Sequence, residues 1–157
     1  MYNNIQQRNH CMVCVFFGHK KTPSGIVPIL HRTLVALIEQ RRVDTFFVGN
    51  QGEFDQMVRK ELKELSRKYP WIRYSVVLAY MPGERTAADT YDYSDTVYPE
   101  GLEDTAPKFA IEKRNRMLVE LADLVVVYVV RSFGGAAKFK ALAERKGKEV
   151  INIGAEE

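Results

Sequence analysis

Short, nearly continuous apolar runs alternate along this chain with longer segments of helical period. The runs fall at about 11–17, 44–48, 73–79, 124–130 and 149–153, and the fourth, Leu124 to Val130, contains no polar residue apart from the hydroxyl of Tyr128. Strands that lack an apolar–polar alternation are buried on both faces, as in a parallel sheet covered by helices on each side. Between the runs, residues 25–41 set Leu30, Leu34, Leu37 and Ile38 on one stripe, and residues 53–68 do so with Phe54, Met57, Val58, Leu62 and Leu65. Lys68 and Pro70 mark the end of that second helix. A third helix at about 108–122 carries Ile111, Leu118 and Leu121, and a fourth at about 135–146 stops before Gly147. The alternation predicts βαβ units and an α/β domain over residues 1–157, with its core at about 11–153, five mainly parallel strands and helices on both faces.

One segment departs from this rhythm. Residues 80–108 are too long for an ordinary connection and are rich in Asp, Tyr, Thr, Pro and Gly. Tyr80, Tyr91, Tyr93 and Tyr98 favour partial order there, because disordered linkers are poor in aromatics. Asp89, Asp92 and Asp95 lack the glycine and the terminal Glu of a calcium-binding loop, so the reading is a solvated acidic loop.

Composition narrows the class. With 46% hydrophobic and 27% charged residues the chain is an ordinary globular protein. No apolar run reaches the roughly 18–20 residues that span a bilayer, and Met1 to His10 is polar, which predicts a cytoplasmic protein with no membrane contact. Cys11 and Cys14 are three apart in a strand, hence on opposite faces, and His10, His19 and His31 supply no zinc spacing. They read as two core cysteines of a reducing compartment, and no metal site is expected. The net charge of +3 conceals an acidic segment, Glu84, Asp89, Asp92, Asp95, Glu100, Glu103 and Asp104 against Arg85 and Lys108, beside a basic remainder. A basic body can steer nucleotides or nucleic acid toward it.

Candidate chemistry gathers at the ends of three strands. Gly18-His19-Lys20 follows the first, Gly49-Asn50-Gln51-Gly52-Glu53-Phe54-Asp55 the second, and Ser132-Phe133-Gly134-Gly135 the fourth. In a parallel sheet these turns open on one edge, where helix N-termini present free N–H groups to anions. Neither Gly-x-Gly-x-x-Gly nor the P-loop pattern is present, which disfavours a standard dinucleotide dehydrogenase and a P-loop NTPase. Arg114 falls on the apolar stripe of the third helix and needs a partner there, either a structural carboxylate such as Asp55 or Glu100, or a ligand phosphate. Asn115 beside it can orient the same network. His19 reads as an acid or base or as a hydrogen-bonding support. Lys138, in a first helical turn, opposes the helix dipole and is a candidate ligand contact.

These motifs, in the order Cys14 to His19, Phe47 to Asp55, Tyr98 to Glu103, Lys113 to Asn115 and Ser132 to Lys138, resemble the YpsA-like proteins of the SLOG superfamily over about residues 11–153. The resemblance implies a Rossmann-like three-layer sandwich that binds nucleotides, nucleotide-derived signals or, in DprA-type members, single-stranded DNA. By position it implies that Gly134 and Gly135 match the phosphate-binding glycines and that Arg114 with Asn115 matches the Arg-containing helix before that strand; together with the strand-end turns, the expected ligand contacts are Gly18, His19, Gly49, Asn50, Gly52, Asp55, Arg114, Asn115, Ser132, Gly134, Gly135, Ala136 and Lys138. The LOG phosphoribohydrolases of that superfamily carry Thr and Glu where this chain has Lys138 and Ala141, so binding transfers better than hydrolysis. Members often pair through helices, although no residue here marks an interface for a homo-oligomer.

The leading expectation is therefore a binding protein for a nucleotide or an ADP-ribose-like molecule, held by Ser132, Gly134, Gly135 and Arg114, with no further cofactor assigned. An alternative is cleavage or transfer of an N-glycosidic bond, with Glu100, Asp55 and His19 as catalytic candidates. A third is binding of single-stranded DNA, which the acidic loop on the same edge opposes.

Overall fold

The computed structural model describes residues 11–81 and 92–154. Glu84, Arg85, Asp89 and Tyr91 of the acidic segment, and His10 at the start, lie outside the described residues.

The first run folds as β1 (Val13–Gly18), followed by a 3-10 turn (Ser24–Ile26) and α1 (Val27–Glu39). Then come β2 (Thr45–Val48), α2 (Glu53–Lys68), β3 (Arg73–Val77) and β4 (Thr96–Val97). The chain continues with α3 (Pro107–Leu121), β5 (Leu124–Tyr128), α4 (Gly135–Arg145) and β6 (Glu149–Asn152). Every strand pair is parallel, in the order β4-β3-β2-β1-β5-β6. The predicted α/β architecture is present, with six strands in place of five. The added strand is the two-residue β4, inside the segment read as a loop, where Val76 pairs with Thr96 and Val77 with Val97.

Strand alternation distributes the core over both faces. Cys14 and Phe16 of β1 join Leu30, Leu34, Leu37 and Ile38 of α1 and Phe54, Val58, Leu62 and Leu65 of α2. Val13, Val15 and Phe17 turn the other way, onto Leu118 and Val119 of α3 and Phe139, Leu142 and Ala143 of α4. The result is a helix–sheet–helix sandwich. Three expectations about burial change. Leu121 is 57% exposed, because the buried stripe of α3 runs through Ala110, Arg114 and Leu118 at i, i+4 and i+8. Met57 and Ile111 are only partly buried. Of the two cysteines, Cys14 is buried and Cys11 is exposed, since β1 begins two residues after Cys11.

Part of the acidic segment is tied down by charge. Arg59 of α2 forms a two-pronged ion pair with Asp95, at 2.8 and 2.7 Å, and donates to the carbonyl of Asp92. Tyr74 of β3 donates to the same Asp95 carboxylate at 2.9 Å. Leu102 is buried, and Lys113 of α3 holds the carbonyl of Gly101.

Candidate functional site

The strand order reverses at β1, whose neighbours are β2 on one side and β5 on the other. Crossovers leave β1 and β5 toward opposite faces of the sheet, which parts the chain beyond their carboxyl ends. A cleft of about 290 Å³ occupies that place. Its walls are Gly18, His19 and Lys20 after β1, Gly49, Gln51 and Asp55 at the β2–α2 junction, Ile111, Arg114 and Asn115 of α3, and Arg131, Gly135, Ala136 and Phe139 around α4.

Arg114 is 1% exposed yet lines this cleft. Its Nη1 donates to the carbonyl of Val77 at 2.8 Å and its Nε to Oδ1 of Asn115 at 2.8 Å. Asn115 thus orients the guanidinium, as the adjacent positions suggested. The plane lies against Gly49, where a Cβ would come within 2.9 Å of the guanidinium carbon. Burial pulls the pKa of Arg114 down, opposed by the nearby charge of Asp55. Among the described residues Nη2 has no hydrogen-bond acceptor, so a buried cation keeps two donors for a ligand. Glu100, the other partner considered for it, lines no part of the cleft.

Asp55 stands in the first turn of α2 and its Oδ2 accepts the backbone N–H of Gln51 at 2.8 Å. Only 7% of the residue is exposed. Desolvation raises its pKa to about 6, while the Gln51 hydrogen bond and the charge of Arg114 restrain the rise. Gly52 before it has φ +95°, and a Cβ there would meet the Cα of Lys20 at 2.7 Å. Glu53 binds the same loop, its N–H donating to the Lys20 carbonyl and its carboxylate accepting from the Thr22 N–H.

His19 supports the site. Its Nε2 accepts the backbone N–H of Val130 at 2.9 Å, a bond that ties the end of β1 to the end of β5 and requires an unprotonated Nε2. Burial, then the positive Arg131, lower its pKa, so the neutral ring is favoured. The hydroxyl of Thr22 completes the turn by donating to the His19 carbonyl at 2.7 Å.

The turn before α4 is different in kind. Gly134, the N-cap, has φ +97°, and no side chain caps the helix. No acidic residue stands in the first turn. A Cβ built on Gly134 or Gly135 would meet nothing within 4 Å. Backbone N–H groups and the positive end of the helix dipole therefore face open space at the rim of the cleft.

Several predicted residues lie elsewhere. Lys138 reaches across to Glu112 of α3 at 2.6 Å and does not line the cleft. Ser132 faces a neighbouring hollow shared with Lys140 and Asn152. Asn50 lines a second cavity on the far side of Gly49 and Asp55. Gly52 shapes the wall without lining it, and Gly134 sets the turn. Arg131 and Phe139 line the cleft without having been singled out, and Lys20 and Ile111 line it although they were read only as a turn residue and a core position. Position after a strand end was the available signal for Lys20 and Arg131.

Among the described residues, no group of three or more His, Cys, Asp or Glu is placed to hold a metal ion, and no helix is long and apolar enough to cross a membrane. No family model matches this chain, and no curated protein matches it.

Proposed function

We propose that the protein binds a nucleotide or a nucleotide-derived molecule of the ADP-ribose type at the carboxyl ends of β1 and β5. The observation that carries this reading is Arg114, a nearly fully buried guanidinium whose Nη2 donors border the same cleft as the uncapped N-terminus of α4. A buried cation without a full set of acceptors is costly, and a phosphate oxygen supplies both the charge and the acceptors it lacks. The open turn at Gly134 and Gly135 offers backbone donors to a second oxygen of the same group. The resemblance to YpsA-like SLOG proteins agrees with this placement.

The test is a thermal-shift and calorimetric panel of AMP, ADP and ADP-ribose. A stabilising ligand should lose affinity in Gly135→Ala, whose Cβ narrows the cleft without touching the fold, and in Arg114→Lys, which keeps the charge and removes the planar fork. Unchanged affinity in both variants removes the phosphate from this cleft.

A second reading rests on Asp55, a buried carboxyl with a pKa raised to about 6 in the same cleft. Such a group can act on the sugar of a nucleoside or nucleotide, breaking or transferring its N-glycosidic bond. Release of free base from nucleotides, lost in Asp55→Asn, is the expected sign of it; no release from any of them excludes the reaction.

A further inference from the structure

Arg114 and Asp55 are 1% and 7% exposed and line the same cleft with opposite charges, yet no ion pair joins them. They are near enough for each charge to act on the other. Arg114 donates from Nη1 to the Val77 carbonyl and from Nε to Asn115, while Oδ2 of Asp55 accepts the Gln51 N–H. Nη2 of the arginine and Oδ1 of the aspartate have no partner among the described residues. No described side-chain nitrogen or oxygen is both closed off from solvent and unpaired, so these two atoms keep an accessible face. The cleft is the space that both residues border.

A buried guanidinium and a buried carboxylate placed this way suit a molecule with two ends, an anionic oxygen for the one and a hydrogen-bond donor for the other. The charge on the walls narrows the choice. Arg114, Lys20 and Arg131 stand against the carboxylate of Asp55, and His19 accepts the Val130 N–H as a neutral ring. The uncapped N-terminus of α4 adds to the positive excess. Such walls favour a dianionic phosphate that carries neutral hydroxyls over a zwitterion such as an amino acid, whose ammonium cancels its own carboxylate. In a nucleotide those hydroxyls belong to the ribose. The Gln51 bond holds the Asp55 carboxylate in the first turn of α2 and leaves Oδ1 as its free acceptor. Burial disfavours the charged carboxylate, and a donated hydroxyl stabilises that form.

We propose that Asp55 distinguishes ribose from deoxyribose: its Oδ1 accepts a ribose hydroxyl of a nucleotide whose phosphate lies on Nη2 of Arg114, so that the cleft selects ribonucleotides. This rests on the nucleotide-binding reading above and adds the sugar class of its ligand.

Calorimetry with AMP, 2′-deoxy-AMP and 3′-deoxy-AMP tests it in the wild-type chain and in Asp55→Asn, Asp55→Ala and Arg114→Lys. Wild-type protein should bind AMP at least about tenfold more tightly than one of the two deoxy forms, the effect of a hydrogen bond to a charged acceptor. Asp55→Asn keeps the shape and an acceptor for the Gln51 N–H, and should bring that ratio below about threefold, as for a neutral hydrogen bond. Asp55→Ala should abolish the preference; if that variant does not fold, Asp55→Asn decides alone. Arg114→Lys alters the phosphate end, so it should weaken all three ligands alike and preserve the ratio. Equal affinity for the three ligands in the wild type overturns the selection while leaving nucleotide binding standing. A ratio that survives substitution of Asp55, or that collapses as fully in Arg114→Lys, moves the hydroxyl away from Asp55 and overturns it too. Binding of none of the three by the wild type removes the nucleotide reading together with this one.

Discussion

Two helices of this protein begin on glycines with nearly the same backbone, φ +95° at Gly52 and φ +97° at Gly134, and the surroundings of the two turns are opposite. The chain itself fills the turn before α2. Lys20 packs on Gly52, Glu53 and Asp55 put carboxylates in the first turn, and both accept backbone N–H groups. At the turn before α4 there is no cap, no acid and no atom within 4 Å of either glycine's absent Cβ. The positive end of a helix attracts negative charge whatever its source. When the protein supplies that charge, the turn is architecture; when it does not, the turn is free to receive a ligand. Similar glycine geometry therefore serves two purposes, and only the neighbours tell them apart.

The largest expected effect separates the two glycines directly. Gly52→Ala combines a glycine-only backbone with a clash against the Cα of Lys20, and should destabilise the protein by about 4 kcal/mol. Gly134→Ala carries the backbone cost alone, about 1–2 kcal/mol. Urea denaturation at constant slope measures both, and equal losses would break the contrast.

Asp55 sharpens the contrast through pH. Its folded pKa is raised from 3.8 to about 6, so the folded state holds this proton more tightly than the unfolded chain does. The associated stability is complete below pH 4 and is lost as pH rises through 6, a change of about 3 kcal/mol. Asp55→Asn should therefore gain on the wild type across that window and stay level above it, as seen in urea midpoints from pH 3.5 to 7.5. His19 acts in the reverse direction. With its folded pKa lowered, its contribution is present above pH 6.5 and is lost as pH falls, and His19→Gln should flatten that part of the profile.

Smaller effects belong to the open turn. Gly135→Ala should change stability by less than about 1 kcal/mol, since its Cβ enters empty space at a helix start. The same substitution should cost about tenfold in affinity for a bound nucleotide, roughly 1.4 kcal/mol. Phe133, 68% exposed above Arg131, should tolerate Phe133→Ala within about 0.5 kcal/mol in a thermal melt.

Periodicity made the sheet and its helices legible because the central strands β1 and β5 are buried on both faces and each helix hides one stripe, although the outer strands β3 and β6 are only partly covered. Arg114 was legible as a charge on the apolar stripe read through Ile111, Leu118 and Leu121, although the stripe that is buried runs through Ala110, Arg114 and Leu118. The two-residue β4 was not, because Thr96 and Val97 are too few to carry a period, and their place depends on Arg59 and Tyr74 gripping Asp95. Leu121 was misread because the third helix turns it past the edge of the buried stripe. The fate of Lys138 depended on Glu112, 26 residues away on another helix. The role of His19 as a strap to Val130 depended on a neighbour 111 residues away. Long-range partners of this kind leave no local mark.

The central position of β1 also has a kinetic meaning. Cys14 pairs with Leu124 and the N–H of Val13 donates to Asp123, so the first strand made awaits a partner about 110 residues later. At synthesis rates of roughly 5–20 residues per second, that wait is on the order of ten seconds on the ribosome. Until then, one edge of the apolar β1 is open, and α1, α2, β2 and β3 can assemble against it only as a half-sheet. Contacts of such high order slow folding. The nascent chain is thus most exposed to misassociation while the edge of β1 that later pairs with β5 is still open.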